Sequence, residues 1–303
     1  MAETATLTRT KGPLVWLDMD QQALDDAYDQ AVYAPNREQV HARRDANSAI
    51  ARAVLGEPLR FQYGASEIEG VDVYRCKRDN APVNVYIHGG AWRNGRSRDF
   101  AYLAELFVNA GAHSVIADFN NIDAVGGDLL AMAKEVRSAV AWVYQNAKEF
   151  GGDPNRLYVT GHSSGGHLSA CVATCDWERD FGLPKNIVKG TVSASGMYDL
   201  KPVRLSKRSK YVNFTDEIED ELSAQRHIDR LNAPIVLAHG TLETPEFRRQ
   251  TRDFAAAVKA AGKPIKFLIG ESYNHFEMLE TLATPYGLLG RAQLELMQLS
   301  GNE

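Results

Sequence analysis

Only three of the 303 residues are cysteine: Cys76, Cys171 and Cys175. An odd count leaves at least one thiol unpaired, and Cys171 and Cys175 lie four apart among small apolar neighbours on an expected helix. Buried free thiols fit this better than a disulfide framework or a metal clamp. A basic excess is missing too, since 34 Lys+Arg face 39 Asp+Glu for a formal charge of −5. Surfaces that neutralise nucleic-acid phosphates or anionic lipid need the opposite balance. No apolar run is long enough to span a bilayer, and residues 1–12 lack the apolar core of a secretory leader. The expectation is a cytoplasmic protein with neither nucleic acid nor membrane as partner. Internal repeats and low-complexity tracts are absent as well.

What is present is the composition of an ordinary globular protein, 44% hydrophobic and 24% charged, with enough chain for a large core. Residues 18–33 and 36–55 place apolar side chains at helical spacing amid alternating charge. They predict an N-terminal helical extension over 1–58, either a solvated outer face or a cover for a site. From residue 59 the pattern changes. Short β-prone runs at 59–63 and 71–76 precede strands at 83–88, 114–119, 156–160, 188–194, 234–239 and 265–270. Helices at 97–111, 128–150, from 164, at 245–261 and at 286–299 fall between them. This alternation predicts an α/β domain over 59–303, with a mostly parallel sheet of about eight strands and helices on both faces. The opening strands, joined by short turns, read as an antiparallel start. A polar excursion at about 200–228, holding Lys207, Arg208, Lys210 and an acidic 217–221 patch, interrupts the rhythm. Such insertions shape pockets, although a solvated loop fits equally.

Chemistry concentrates in Gly161-His162-Ser163-Ser164-Gly165. A β-prone run precedes it and a small-residue helix follows, so Ser163 falls on a sharp strand-to-helix turn that exposes its hydroxyl. A second motif, His88-Gly89-Gly90-Ala91-Trp92, directly follows the 83–88 strand. Acyl transfer develops negative charge on a carbonyl oxygen, and glycine backbone presents N–H donors to it unobstructed. Gly89 and Gly90, with the N–H of Ser164, are the candidate donors, and His88 would brace the loop. Of eight histidines, His275 lies just past the last strand, where a chain ordered Ser, acid, His puts its base. Glu243 follows the penultimate strand and is the leading candidate for the acid that orients the imidazole. Glu246 and Asp199 compete for that role. Scattered histidines, with no metal-ligand spacing and no phosphate-binding loop, point to a protein without metal or cofactor.

Together these stretches resemble the α/β-hydrolases, in the subgroup marked by His-Gly-Gly and Gly-His-Ser-x-Gly. Within it the chain is most similar to the kynurenine formamidases (arylformamidases) and neighbouring carboxylesterases, over His88–Trp92, Gly161–Leu168, 244–250 and 274–277. The resemblance implies nucleophile Ser163, base His275, and oxyanion donors on Gly89, Gly90 and Ser164. Its acid is usually an aspartate where this chain has Glu243, and an aromatic residue commonly follows the two glycines where Ala91 intervenes here. The implied partner is a small amide or ester substrate, aromatic in character, and a homodimer is in keeping with the family. Trp92, Trp177, Tyr198 and Phe276 are candidates to line the pocket, each of them equally suited to core packing. Three readings follow: an N-formyl arylamine amidase, a broader esterase, thioesterase or carbamate hydrolase, and a non-catalytic binding protein on the same fold.

Overall fold

Val83, Val85 and Ile87 alternate with Asn84 and Tyr86, yet the whole Ala81–Ile87 strand is buried. A strand covered on both faces has this character. In the computed structural model, which describes residues 11–299, the valines and Ile87 pack with Met132, Val136 and Val140 on one side of the sheet. Tyr86 packs with Phe100, Phe107 and Leu289 on the other. Asn84, the polar exception, accepts hydrogen bonds from Thr160 at 2.7 Å and Gln293 at 2.8 Å. Residues 1–10, most of the stretch judged to lack a leader's apolar core, lie outside the described residues.

Among the described residues eight strands form the main sheet: β1 (Leu59–Gln62), β2 (Gly70–Tyr74), β3 (Ala81–Ile87), β4 (His113–Ala117), β5 (Gly152–His162), β6 (Val188–Ala194), β7 (Ile235–Gly240) and β8 (Ile265–Gly270). Their spatial order is β1-β2-β4-β3-β5-β6-β7-β8. Pairing is parallel throughout except on the two sides of β2, which is the antiparallel start expected from the short early turns. Register aligns Ile87 with Gly161, Gly161 with Ser193, and Ala194 with Ala238. The loops leaving β3, β5, β6 and β7 therefore emerge side by side at the carboxyl edge, where open α/β sheets bind ligands.

Helices cover both faces, among them Leu129–Asn146, Ser164–Ala173, Pro245–Ala260 and Leu288–Leu296. Asp128 caps the first by accepting from the Leu130 and Ala131 N–H groups. Cys76, Cys171 and Cys175 are free and buried, and burial pushes the Cys171 and Cys175 thiols up to about 12. Among the described residues no helix is long and apolar enough to cross a membrane.

Two expected helices are broken. Residues 18–33 form instead a ribbon of Leu14–Trp16 with Met19–Asp20, a short helix Gln21–Ala27 and a 3-10 turn Gln30–Tyr33. Asp20 and Asp29 capture the N–H groups of Ala23 and Ala31, so each aspartate starts a new turn rather than continuing an old one. The 97–111 stretch splits into a 3-10 segment, Ser97–Leu103, and a helix, Ala104–Asn109. Ser48 Oγ donates to the Asp99 carbonyl at 2.7 Å and accepts from the Tyr102 N–H, displacing the ladder that an α-helix would make there. The 200–228 excursion is ordered into short helices, including Leu200–Leu205 and Asp216–Glu221.

Candidate active site

β5 ends at His162, and the chain reverses into the Ser164–Ala173 helix through Ser163, whose φ of 62° and ψ of −127° lie in the left-handed half of backbone space. Such a conformation costs free energy at a residue with a side chain, and the surroundings must hold it. Here the Ser163 N–H donates to the Ala194 carbonyl at 3.0 Å. Gly165 lets the helix close on β3, because a Cβ there would overlap the Ile87 and His88 carbonyls. The Ser163 hydroxyl is thereby raised into a cavity of about 920 Å³, a volume typical of small-molecule sites.

His275 opens the short helix His275–Glu280, whose start is fixed by a reciprocal cap. Asn274 accepts from the Phe276 and Glu277 N–H groups, while Glu277 accepts from the Asn274 N–H. This cap orients the imidazole: Nε2 lies 2.8 Å from Ser163 Oγ, and Nδ1 lies 2.8 Å from Glu243 Oε2. Both side chains are almost fully enclosed, with His275 3% and Glu243 1% exposed. The Glu243 carboxylate also accepts from Ser195 Oγ and the Gly240 N–H, each at 2.6 Å, and from Gln30 Nε2 at 3.5 Å. With Nδ1–H donating to Glu243, Nε2 carries the lone pair that faces the hydroxyl.

The competing carboxylates are engaged elsewhere. Glu246 accepts from the Tyr28 hydroxyl at 2.9 Å and pairs with Arg249 at 2.7 Å. Asp199 caps the Leu200–Leu205 helix. Ser195 and Gln30, two further partners of Glu243, carried no weight in the sequence. Ser195 directly follows β6, so its place at the carboxyl edge of a strand was the available signal; Gln30, more than 200 residues away, offered none.

Opposite Ser163, the 89–92 loop passes through positive φ at Gly90, Ala91 and Trp92. It is tied to the Ser164–Ala173 helix by the Trp92 N–H, which donates to Ser164 Oγ at 3.1 Å. Gly89 has no room for a side chain, since a Cβ would sit 2.8 Å from the His162 carbonyl and 3.1 Å from Ser163 Cβ. The amides of Gly89, Gly90, Ala91 and Ser164 donate to no other group among the described residues. His88 is sandwiched between Phe100 and Phe119 with its Nδ1 2.9 Å from the Gly89 carbonyl. Burial lowers its pKa, so it braces the loop as a neutral ring. His162 lies 4.5 Å from His275, ring centre to ring centre. Burial first, and the charge of His275 second, hold it well below the usual imidazole range.

Of the four aromatic residues expected to line the pocket, Phe276 does so, edge-on to His275 and His41. The other three do not. Trp92 is turned inward by the left-handed φ values at 91 and 92 and packs against His167. Trp177 packs with Phe181 in the core. Tyr198 stacks on Phe254, and its hydroxyl is used by Ser193 and the Gly196 N–H. The cavity's other wall comes from the N-terminal segment, with Tyr28, Asp29, Gln30, His41 and Arg44, and from Lys207, Arg208, Lys210 and Tyr211 of the excursion.

Comparison with known proteins bears on the fold and the family. The chain is similar to the kynurenine formamidase of Danio rerio, 29% identical over 295 residues, spanning 93% of this chain and 98% of that one. It is also similar to Esterase LipC of Mycobacterium tuberculosis, 28% identical over 224 residues that span 67% of this chain and 55% of that one. A solved structure from a Silicibacter species superposes with a TM-score of 0.77 at 23% identity, covering 88% of this chain and 97% of the other. Residues 71–258 match the family model described as BD-FAE. The chain belongs to the BD-FAE family and is a hydrolase of the α/β-hydrolase fold.

Proposed function

We propose that the protein hydrolyses a small amide, an N-formyl arylamine, through an acyl-enzyme on Ser163. The observation that carries this reading is the pair of 2.8 Å contacts linking Ser163, His275 and Glu243 at the cavity wall. Ser163 Oγ attacks the formyl carbon as its proton passes to His275 Nε2. Glu243 holds the ring in the tautomer that can accept it and stabilises the imidazolium that results. Negative charge gathers on the carbonyl oxygen against the free amides of Gly89, Gly90 and Ser164, with that of Ala91 beside them. The C–N bond breaks as Nε2 returns the proton to the departing arylamine. Water then attacks the formyl ester, again deprotonated by His275, and releases formate with Ser163 restored.

The similarity to kynurenine formamidase across nearly the whole chain supports the amide substrate. A broader esterase is the second reading, favoured by the likeness to Esterase LipC. The two divide on leaving-group chemistry, because an arylamine must be protonated as it leaves and a phenolate need not be. Comparing kcat/KM for N-formylkynurenine and 4-nitrophenyl acetate separates them. The formamide is expected to be preferred by about tenfold or more, and a hundredfold preference for the ester would establish the second reading. Ser163→Ala is expected to lose about 10⁴-fold or more in kcat on either substrate.

A further inference from the structure

Among the described residues six lysine and arginine side chains line the cavity, and four of them have a carboxylate of their own. Arg37 pairs with Glu38, Arg44 with Asp45, Arg93 with Asp123, and Lys207 with Asp29 at 2.6 Å. Arg208 does not. It is 6% exposed, and every group that braces it is uncharged. Nη1 donates to the Tyr211 hydroxyl at 2.7 Å and Nη2 to the Tyr28 carbonyl at 3.1 Å. The guanidinium carbon lies 5.3 Å from the centre of the Trp92 ring, and Nε is shut away from solvent with no acceptor. The nearby Asp29 carboxylate is already held by the Lys207 ammonium and the Ala31 N–H.

A buried cation is costly to fold around unless it is paired, and Arg208 is close to Asp29 without a hydrogen bond to that carboxylate, which leaves it able to pair with an anion from outside. We infer that Arg208 recognises a carboxylate carried by the substrate and selects anionic over neutral substrates. Two of its four Nη hydrogens have no acceptor among the described residues, and the planar guanidinium suits a carboxylate. The Tyr211 hydroxyl accepts from Arg208 and keeps its own hydrogen to donate to the same anion. Lys210, an exposed cation with no ion pair among the described residues, adds positive charge on this wall. Trp92, whose ring the guanidinium lies over, belongs to the loop facing Ser163, which sets Arg208 beside that loop.

This inference rests on the reading of the Ser163 cavity as the substrate site, and its test is separate from turnover. In a Ser163→Ala background, isothermal titration is run with kynurenine and with its carboxamide, which differ only in the carboxylate. The acid is expected to bind about thirtyfold or more tightly than the amide, the range of a charge-assisted contact. Arg208→Gln in the same background is expected to bring the two within about threefold of each other, and Arg208→Lys to leave an intermediate preference. Equal binding of acid and amide, no measurable binding of the acid, or a preference unchanged in Arg208→Gln would overturn the assignment. Should Arg208→Gln fail to fold, the acid-to-amide ratio of the parent and of Arg208→Lys decides. Loss of hydrolysis on every substrate in the wild-type protein would instead sink the proposed function, and the titration would still be readable.

Discussion

The two walls of the cavity are built on different principles. One wall consists of strand ends and tight turns, in which Ser163, Ser195, Gly240 and Glu243 are held by short hydrogen bonds within a buried frame. The other consists of two excursions from the sheet, residues 28–44 and 207–211, and its contacts are ion pairs, cations and aromatic edges. Bond-making geometry tolerates errors of a few tenths of an ångström, and a rigid sheet edge supplies that precision. Recognition of a substrate's charge needs less precision and more variety, which surface insertions provide. Under the proposed function, the fold separates the step that breaks the bond from the choice of what is admitted.

The largest effect that tests this division comes from the two neighbouring glutamates. Glu243→Gln keeps the shape of the buried wall but replaces the acceptor for Nδ1–H, and kcat is expected to fall about 10³- to 10⁴-fold. Glu246→Gln, three residues on, breaks the tie to Tyr28 and Arg249 that fastens the N-terminal segment. It is expected to cost about 2 kcal/mol of stability and to leave kcat within about threefold. Steady-state kinetics beside urea unfolding of both variants reads the two quantities. A collapse of kcat in Glu246→Gln with Glu243→Gln still active would reverse the assignment.

A smaller effect sharpens the comparison through acid. The Ser164–Ala173 helix behind Ser163 carries His167, whose Nε2 lies 3.0 Å from the Leu222 carbonyl. Burial lowers its pKa to about 4. An unfolded histidine takes up a proton near pH 6.5, whereas this one stays neutral in the native protein until about pH 4. Unfolding therefore binds a proton in that window, and the stability present above pH 6.5 is lost as the pH falls towards 4, by roughly 3 kcal/mol for this group. Urea unfolding at a series of pH values is expected to show a slope reduced by one proton in His167→Gln. An unchanged slope would mean that His167 is not the group being titrated. The half-exposed Lys207–Asp29 pair of the opposite wall is expected to contribute little, because solvent and salt screen it.

The same division explains what could be read from the sequence. The strands and their alternation with helices were legible because apolar periodicity reports burial directly, and Ile87, Gly161 and Ser193 then follow from register. Ser163, His275 and Glu243 were legible as positions at strand ends, and the structure brings their side chains within hydrogen-bond reach. Glu243 led on its place after the penultimate strand, but Glu246 and Asp199 stayed in competition, because sequence does not show that a carboxylate one helical turn away points at a different neighbour. Trp92, Trp177 and Tyr198 misled for a related reason: a large aromatic near a motif suits core and pocket equally. Only backbone φ at 91 and 92 decides for Trp92. Arg208 sat in an excursion that suited a pocket wall and a solvated loop equally, because its burial depends on Tyr28 and Trp92, both more than 100 residues away in sequence.

The central claim is that the Ser163 hydroxyl is the attacking group and that His275 activates it. Treating the protein with a fluorophosphonate, then mapping the adduct by peptide mass spectrometry while following activity, tests this most directly. A single adduct on Ser163, rising in step with loss of hydrolysis and slowed about a hundredfold or more in His275→Ala, is the expected result. An adduct on another residue, or full activity in protein labelled at Ser163, would contradict it.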